Sequence, residues 1–219
     1  ITDHLQGKMP RGARTFDRLA RYVRETTLSA YASQMREWPG FESSAGVWDH
    51  VIRSLPRDYP IFQQMQPDDQ YPQAHKVALE VFQGKLRAYQ EQHGTKIVED
   101  TEMYQDLLRK TVPPYKVDGF PNKWWKLNPD QPSRTLTAHM GKDTYSHIHY
   151  DSTQARVISV REAARLQSFP DGFLFAGAMN TAYTQIGNAV APLQSYVLGK
   201  HLRQLLLEAA RQECVVISL

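Results

Sequence analysis

At 219 residues with 41% hydrophobic side chains, the chain has enough apolar material for one large or two small globular domains with a sizeable core. No run of about 18 apolar residues occurs, and Ile1-Thr2-Asp3-His4 has neither a charged nor an apolar leader region, so no membrane span or signal peptide is supported and a cytoplasmic location is expected. The formal charge is +3, and a single cysteine, Cys214, excludes disulfides within the chain and argues against a Cys-based metal site.

The basic excess lies at the start, where Lys8, Arg11, Arg14, Arg18, Arg21 and Arg24 face only Asp3, Asp17 and Glu25. Such an arm can track phosphates by displacing counterions, or it can be the solvated face of a helix. The initial Ile, in place of Met, suggests a piece of something longer. From Phe16 to Trp38, apolar residues recur at broadly helical spacing around the run Thr26 to Ser29, which predicts one or two helices. Pro39-Gly40 stops them, and a short helix is expected over Val47 to Leu55, ended by Pro56. Asp58 to Pro72 reads as a surface connection around a short helix at Ile61 to Met65. Val77, Val81, Phe82, Leu86 and Tyr89 make an amphipathic helix that Gly94 can end in the left-handed conformation. A further helix over Glu102 to Lys110 stops before Pro113-Pro114.

The character then changes. From Lys116 to Tyr150, aromatics, Thr, Gly and Pro dominate, and Arg134 to Ala138 and Tyr145 to His149 read as strands. Helix returns after Ser159, which with Glu162 three residues on forms a capping box; Pro170 closes that helix. A last helix starts near Pro192 and presents Leu193, Val197, Leu198, His201, Leu202, Leu205 and Ala209 on one face. His147-x-His149 with Asp151 has a spacing seen in metal sites, but no further ligand set accompanies it and no metal is expected.

Four runs stand out, in this order: Asn122-Lys-Trp-Trp-Lys-Leu127, Pro132-Ser-Arg-Thr-Leu-Thr-Ala-His139, Val160-Arg-Glu-Ala-Ala-Arg-Leu-Gln-Ser-Phe-Pro-Asp171 and Gln185-Ile-Gly-Asn-Ala-Val190. Together, at these separations, the stretch resembles the C-terminal half of the cytosine-5 DNA methyltransferases. Chemistry of that kind needs an activated cysteine to attack cytosine C6, a glutamic acid beside it, and a Gly-rich strand-to-helix turn for S-adenosylmethionine, acting on a base flipped out of the duplex. None of these is present. Cys214 lies in Gln212-Glu-Cys-Val-Val216, lacks the preceding Pro and follows the last motif, and neither Gly-x-Gly nor Glu-Asn-Val occurs. The resemblance therefore assigns no catalytic residue to this chain and implies an N-terminal catalytic half, in the same polypeptide or a separate subunit.

What the resemblance implies for the residues present is specific. Asn188, Ala189 and Val190 would line the S-adenosylmethionine pocket, while Gly187 permits a close backbone approach or a positive φ and Asn188 can cap the last helix. Thr135, with Leu136, would support the DNA-facing loop Ala138 to Asp143, from which His139 and Lys142 can reach bases or phosphates. Lys123 and Lys126, interleaved with Trp124 and Trp125, are further candidate contacts with double-stranded DNA. Arg161 and Arg165, on one face of the bracing helix, would be phosphate-facing organisers.

The expected fold is α+β in three parts: a mainly helical segment over 1–115, a β-rich target-recognition region over 116–157, and the motifs and helix over 158–219 that complete a cofactor domain. The expected function is the recognition part of a bacterial-type DNA (cytosine-5-)-methyltransferase, inactive by itself, with a non-catalytic specificity subunit or a degenerate remnant as the alternatives.

Overall fold

The computed structural model describes residues 19–22 and 27–216, with side chains to residue 211. Lys8, Arg11, Arg14, Arg18, Arg24 and the side chain of Cys214 lie outside the described residues. The elements are β1 (Ala20–Arg21), α1 (Ala30–Arg36), β2 (Gly46–Val47), α2 (Tyr59–Gln64), α3 (Tyr71–His93), α4 (Glu102–Thr111), α5 (Val160–Leu166), α6 (Met179–Asn188) and α7 (Pro192–Val216). Three short 3₁₀ turns lie between α4 and α5, at Pro121–Lys123, Ala138–Gly141 and Tyr145–His147. Helix and strand are thus both present, with β1 and β2 pairing antiparallel as the one small sheet among the described residues.

Local signals set several of these boundaries. Gly94 sits at φ 64° and its N–H reaches the Gln90 carbonyl, a left-handed stop for α3. The Ser159 hydroxyl accepts from Glu162 N–H while the Glu162 carboxylate accepts from Ser159 N–H, the reciprocal pair that starts α5. Pro192 is the first residue of α7.

Other expectations are corrected. Val47 to Leu55 is no helix: Val47 belongs to β2, Asp49 has φ 63°, and the carbonyls of Asp49 and Val51 accept from Arg161 and Val160 N–H, so α5 takes groups that a local helix would need. Arg134 to Ala138 and Tyr145 to His149 are not strands either. Pairing there is limited to isolated bridges, Lys126 with Ile148 and Ile148 with Val157, because the 3₁₀ turns at Ala138–Gly141 and Tyr145–His147 cut each extended run short. Region 116–157 is therefore extended and turn-rich, with little regular sheet. Helix α6 has no counterpart in the sequence reading; its Asn, Thr, Tyr and Gly content has low intrinsic helix propensity, and packing overrides it.

Two apolar clusters organise the chain. One gathers Val51, Leu127, Leu136, Met140, Ile158, Phe169, Phe175, Tyr183 and Ile186 around α5 and α6. The other gathers Ile61, Phe62, Tyr71, Phe82, Trp124, Ile148 and Val157 around α2, α3 and α4, with the Trp124 ring stacked on Tyr145 at 4.5 Å between centroids. Segments 124–127 and 145–148 connect the clusters through Leu127 N–H to Ile148 O and Ile148 N–H to Trp125 O, both 2.9 Å.

Between the clusters lies a buried polar group with a pH consequence. Arg156, 1% exposed, gives Nη1 and Nη2 to the two oxygens of Glu162 at 2.7 Å each. Burial alone would raise the Glu162 carboxyl, but the Arg156 hydrogen bonds and charge outweigh it and hold the group down at about 2. Burial lowers His147 and His149 from 6.5 to about 4; the cation of Arg156 adds to this at His149, against Glu162 and Asp151. Because both imidazoles protonate more readily in the unfolded chain, the folded state loses stability as pH falls from about 6.5 to about 4, and Glu162 extends that loss from its ordinary range toward about 2. The urea midpoint should accordingly drop between pH 7.5 and pH 4.5. The drop should shrink in His149→Asn, and an equal slope in parent and variant would count against this assignment.

Candidate functional site

The extended run before the first turn alternates sides. Thr135 and Thr137 are exposed, whereas Leu136, between them, is 7% exposed and belongs to the α5–α6 core. The two threonines thus face a surface groove of about 490 Å³, which they line with Lys123, Arg134 and His139. Buried Met140 pins the 3₁₀ turn Ala138–Gly141 from below and leaves His139 and, just beyond, Lys142 exposed. Lys123 sits 3.5 Å above the Tyr115 ring and 3.5 Å from an Asp143 oxygen, so its charge is shared between the groove and that carboxylate. Arg134 lies over the Trp125 ring and donates to the Asn122 carbonyl at 2.9 Å, tying the two rims together. The groove is rich in donors, with hydroxyl, imidazole, ammonium and guanidinium groups at one face, a set suited to phosphate oxygens and base edges.

Helix α6 supports that face from behind. The α carbon of Gly187 lies against the Thr137–Ala138 backbone so closely that a β carbon would overlap it, and a β carbon on Gly141 would likewise overlap the Thr184 hydroxyl and the Asn180 carbonyl. Gly187 thus serves the close approach, within helical backbone, and no positive φ is needed.

Directly after it comes the corner Asn188-Ala189-Val190. Asn188 is the last residue of α6 and is exposed; it does not cap α7, whose first-turn Leu193 N–H is accepted instead by the Ser168 hydroxyl at 3.0 Å. Val190 is 68% exposed. Ala189 is held from within, its carbonyl accepting from Gln167 Nε2 at 2.7 Å. An exposed amide beside an exposed apolar side chain suits a nucleoside with polar sugar hydroxyls and an apolar ring face. These residues fit as one wall of such a pocket.

Two expected DNA contacts do not stand. Lys126 is fully buried and donates to the Phe62 carbonyl and the Ser152 hydroxyl, each at 2.7 Å; burial lowers its pKa to about 8, against Asp69 and Asp151. Arg161 is also fully buried and donates to the carbonyls of Trp48, Pro170 and Phe173 and to Asp49 Oδ2. Both have their donors turned inward, so neither reaches a phosphate. Arg165 is partly exposed, but its guanidinium grips the fully buried Asp171 through Nε at 2.7 Å and Nη2 at 2.5 Å. It braces the turn after α5 first, whatever else it meets. Among the described residues, no group of three or more His, Cys, Asp or Glu is placed to hold a metal.

Gln167, Ser168, Asn180 and Thr184 support the site and had no role in the sequence reading. The polar pair Gln167-Ser168 just past a helix was a visible signal, but its partners at Ala189 and Leu193 are set only by folding.

A family described as C-5 cytosine-specific DNA methylase matches residues 47–204. M.OihORF3336P of Oceanobacillus iheyensis, assigned as a type II methyltransferase, is 42% identical over 159 residues, which is 72% of this chain and 33% of that protein. The type II methyltransferase M.Bpa9945I of Bacillus paralicheniformis is 41% identical over 41% of this chain and 19% of its own length. The DNA (cytosine-5-)-methyltransferase M.ApeKI of Aeropyrum pernix is 41% identical over 37% of this chain and 17% of its own length. The chain thus spans a third or less of each of these curated relatives.

Proposed function

The chain belongs to the C-5 cytosine-specific DNA methylases, and on that footing we propose that it is the target-recognition part of a DNA (cytosine-5-)-methyltransferase. Members of the family use S-adenosylmethionine as methyl donor. In the proposed assembly, bound S-adenosylmethionine supplies the methyl group that goes to C5 of a flipped cytosine. The chain's own residues bind and orient. Thr135, His139, Lys142 and Lys123 meet duplex DNA, and Asn188, Ala189 and Val190 form one wall of the cofactor pocket.

The observation that carries the proposal is the sharing of helix α6. Its flank supports the turn bearing His139, and its C-terminal end leads straight into the exposed Asn188-to-Val190 corner. The thiol nucleophile and the Gly-rich cofactor turn are proposed to come from a catalytic half outside these residues, since Cys214 is the sole cysteine and no Gly-x-Gly occurs. The outer face of α7 fits that arrangement, with Val197 64%, Leu198 56%, Leu202 50% and Leu206 71% exposed. No helix among the described residues is long and apolar enough to cross a membrane, and the proposed place of action is the DNA of the bacterial cytoplasm.

Two measurements test this. The chain alone should transfer no methyl group to DNA, and should do so when joined to the catalytic half; transfer by the 219 residues alone, or none after joining, overturns the proposal. Lys142→Ala should weaken duplex binding across sequences and reduce the salt slope by about 1, whereas His139→Ala should cost about 1–3 kcal/mol mainly on the preferred site. Binding that ignores both changes would remove the groove from the DNA interface. DNA binding without any methyl transfer in the joined protein would favour a non-catalytic specificity subunit.

A further inference from the structure

We propose that Arg53 is a positioning residue that sets the DNA-reading turn against α6 and thereby tunes target selectivity; this rests on the reading of that turn as part of the DNA interface. Arg53 Nη2 donates to the carbonyls of Met140 at 3.3 Å and Gly141 at 3.2 Å, and to Asn180 Oδ1 at 2.9 Å. The first two acceptors end the turn that carries His139 and precede Lys142. The third stands in the first turn of α6. One nitrogen with two hydrogens serves three acceptors, so its bonds to the turn are shared, and their strength depends on where Asn180 holds the guanidinium.

The turn's other attachments act from different directions. Met140 holds it from below by burial, and Gly141 lies flush on α6 with no room for a β carbon, 2.8 Å from the Asn180 carbonyl as that carbon would be placed. These persist without Arg53, so the turn stays folded while its His139–Lys142 rim loses its lateral stay. Arg53 makes no ion pair among the described residues, so its charge also remains available beside Lys142. Lysine can replace the charge, but its ammonium ends about one bond short of the Nη2 position, so it restores the contacts to turn and helix only in part.

The test is steady-state methyl transfer by the complete enzyme carrying Arg53→Ala, Arg53→Lys or Asn180→Ala, on target and single-mismatch duplexes, with thermal unfolding alongside. Arg53→Ala should raise KM for target DNA about tenfold and cut the target-to-mismatch ratio by a similar factor. The value of kcat at saturating DNA and KM for S-adenosylmethionine should stay within about twofold. Arg53→Lys should recover part of the loss, and Asn180→Ala should shift DNA KM and selectivity the same way by less. Unchanged DNA KM and selectivity overturn the proposal, as does a joint change of kcat and both KM values that tracks a lower melting point. If Arg53→Ala does not fold, Asn180→Ala, at an exposed position, decides alone. If His139→Ala and Lys142→Ala also leave DNA KM and selectivity untouched, the DNA-interface reading has failed; if they shift both and the Arg53 and Asn180 variants do not, only the role of Arg53 has failed.

Discussion

Gly187→Ala should be strongly destabilising, although the same change elsewhere in a helix is mildly favourable. Alanine gains up to about 1 kcal/mol over glycine in a helix interior. At Gly187 the added methyl would overlap the Thr137 carbonyl group and the Ala138 nitrogen, which are backbone and cannot move aside by changing a rotamer. Helix α6 would have to lift off, opening the core around Tyr183 and Ile186 and displacing the turn that carries His139. We expect a loss of at least about 3 kcal/mol, at the upper end of overpacking costs, together with weakened duplex binding. Gly84 in α3 and Gly199 in α7 have open space where a β carbon would stand, so alanine there should be neutral or slightly stabilising. Urea unfolding of the three variants decides the matter, and a Gly187→Ala protein as stable as the parent would contradict the packing described.

Arg161→Met is the second large effect. The Arg161 guanidinium joins segment 48–49 to the turn 170–173 beneath α5, with distances of 2.6 to 3.2 Å to four oxygens. Methionine fills similar volume but leaves the Trp48, Pro170 and Phe173 carbonyls without this donor and the Asp49 carboxylate without this cation. Removing one member of a buried ion pair typically costs about 3–5 kcal/mol, because the partner's desolvation is no longer compensated. Arg161→Lys should recover only a small part, since one ammonium cannot span both segments. Arg165→Ala should cost less, about 1–3 kcal/mol, because the Arg165 side chain is itself partly exposed although its partner Asp171 is buried. Unfolding midpoints should rank the variants in that order, with faster amide exchange over residues 168–175 in Arg161→Met; an unchanged midpoint for that variant would remove the guanidinium from the fold's support.

How far the sequence could be read depended on how local each cause was. The Ser159–Glu162 capping box, the left-handed stop at Gly94 and the Pro192 start all act within a few residues, and all appear at those positions. The four motif runs identified the family for the same reason: their order and spacing belong to the chain itself. Residues whose partners lie far off were harder to place. Lys126 looks like a surface cation flanking two tryptophans, but its ammonium ends on Phe62, 64 residues away. Val47 to Leu55 has helical apolar spacing, yet its carbonyls are taken by α5, more than a hundred residues on. Helix α6 carries weak propensity and exists through its packing against Thr137 to Gly141.

The sequence by itself determined which family the chain belongs to, where its sharply signalled helices start and stop, and that its only thiol lies outside the motifs. The tertiary structure alone decided which of the candidate DNA-contacting side chains face outward. Lys123 and His139 line the groove and Lys142 is exposed just beyond it, while Lys126 and Arg161 turn inward because buried carbonyls and a carboxylate must be satisfied where water is excluded. It alone also joined the turn bearing His139 to the Asn188-to-Val190 corner, through a glycine contact that leaves no room for a side chain.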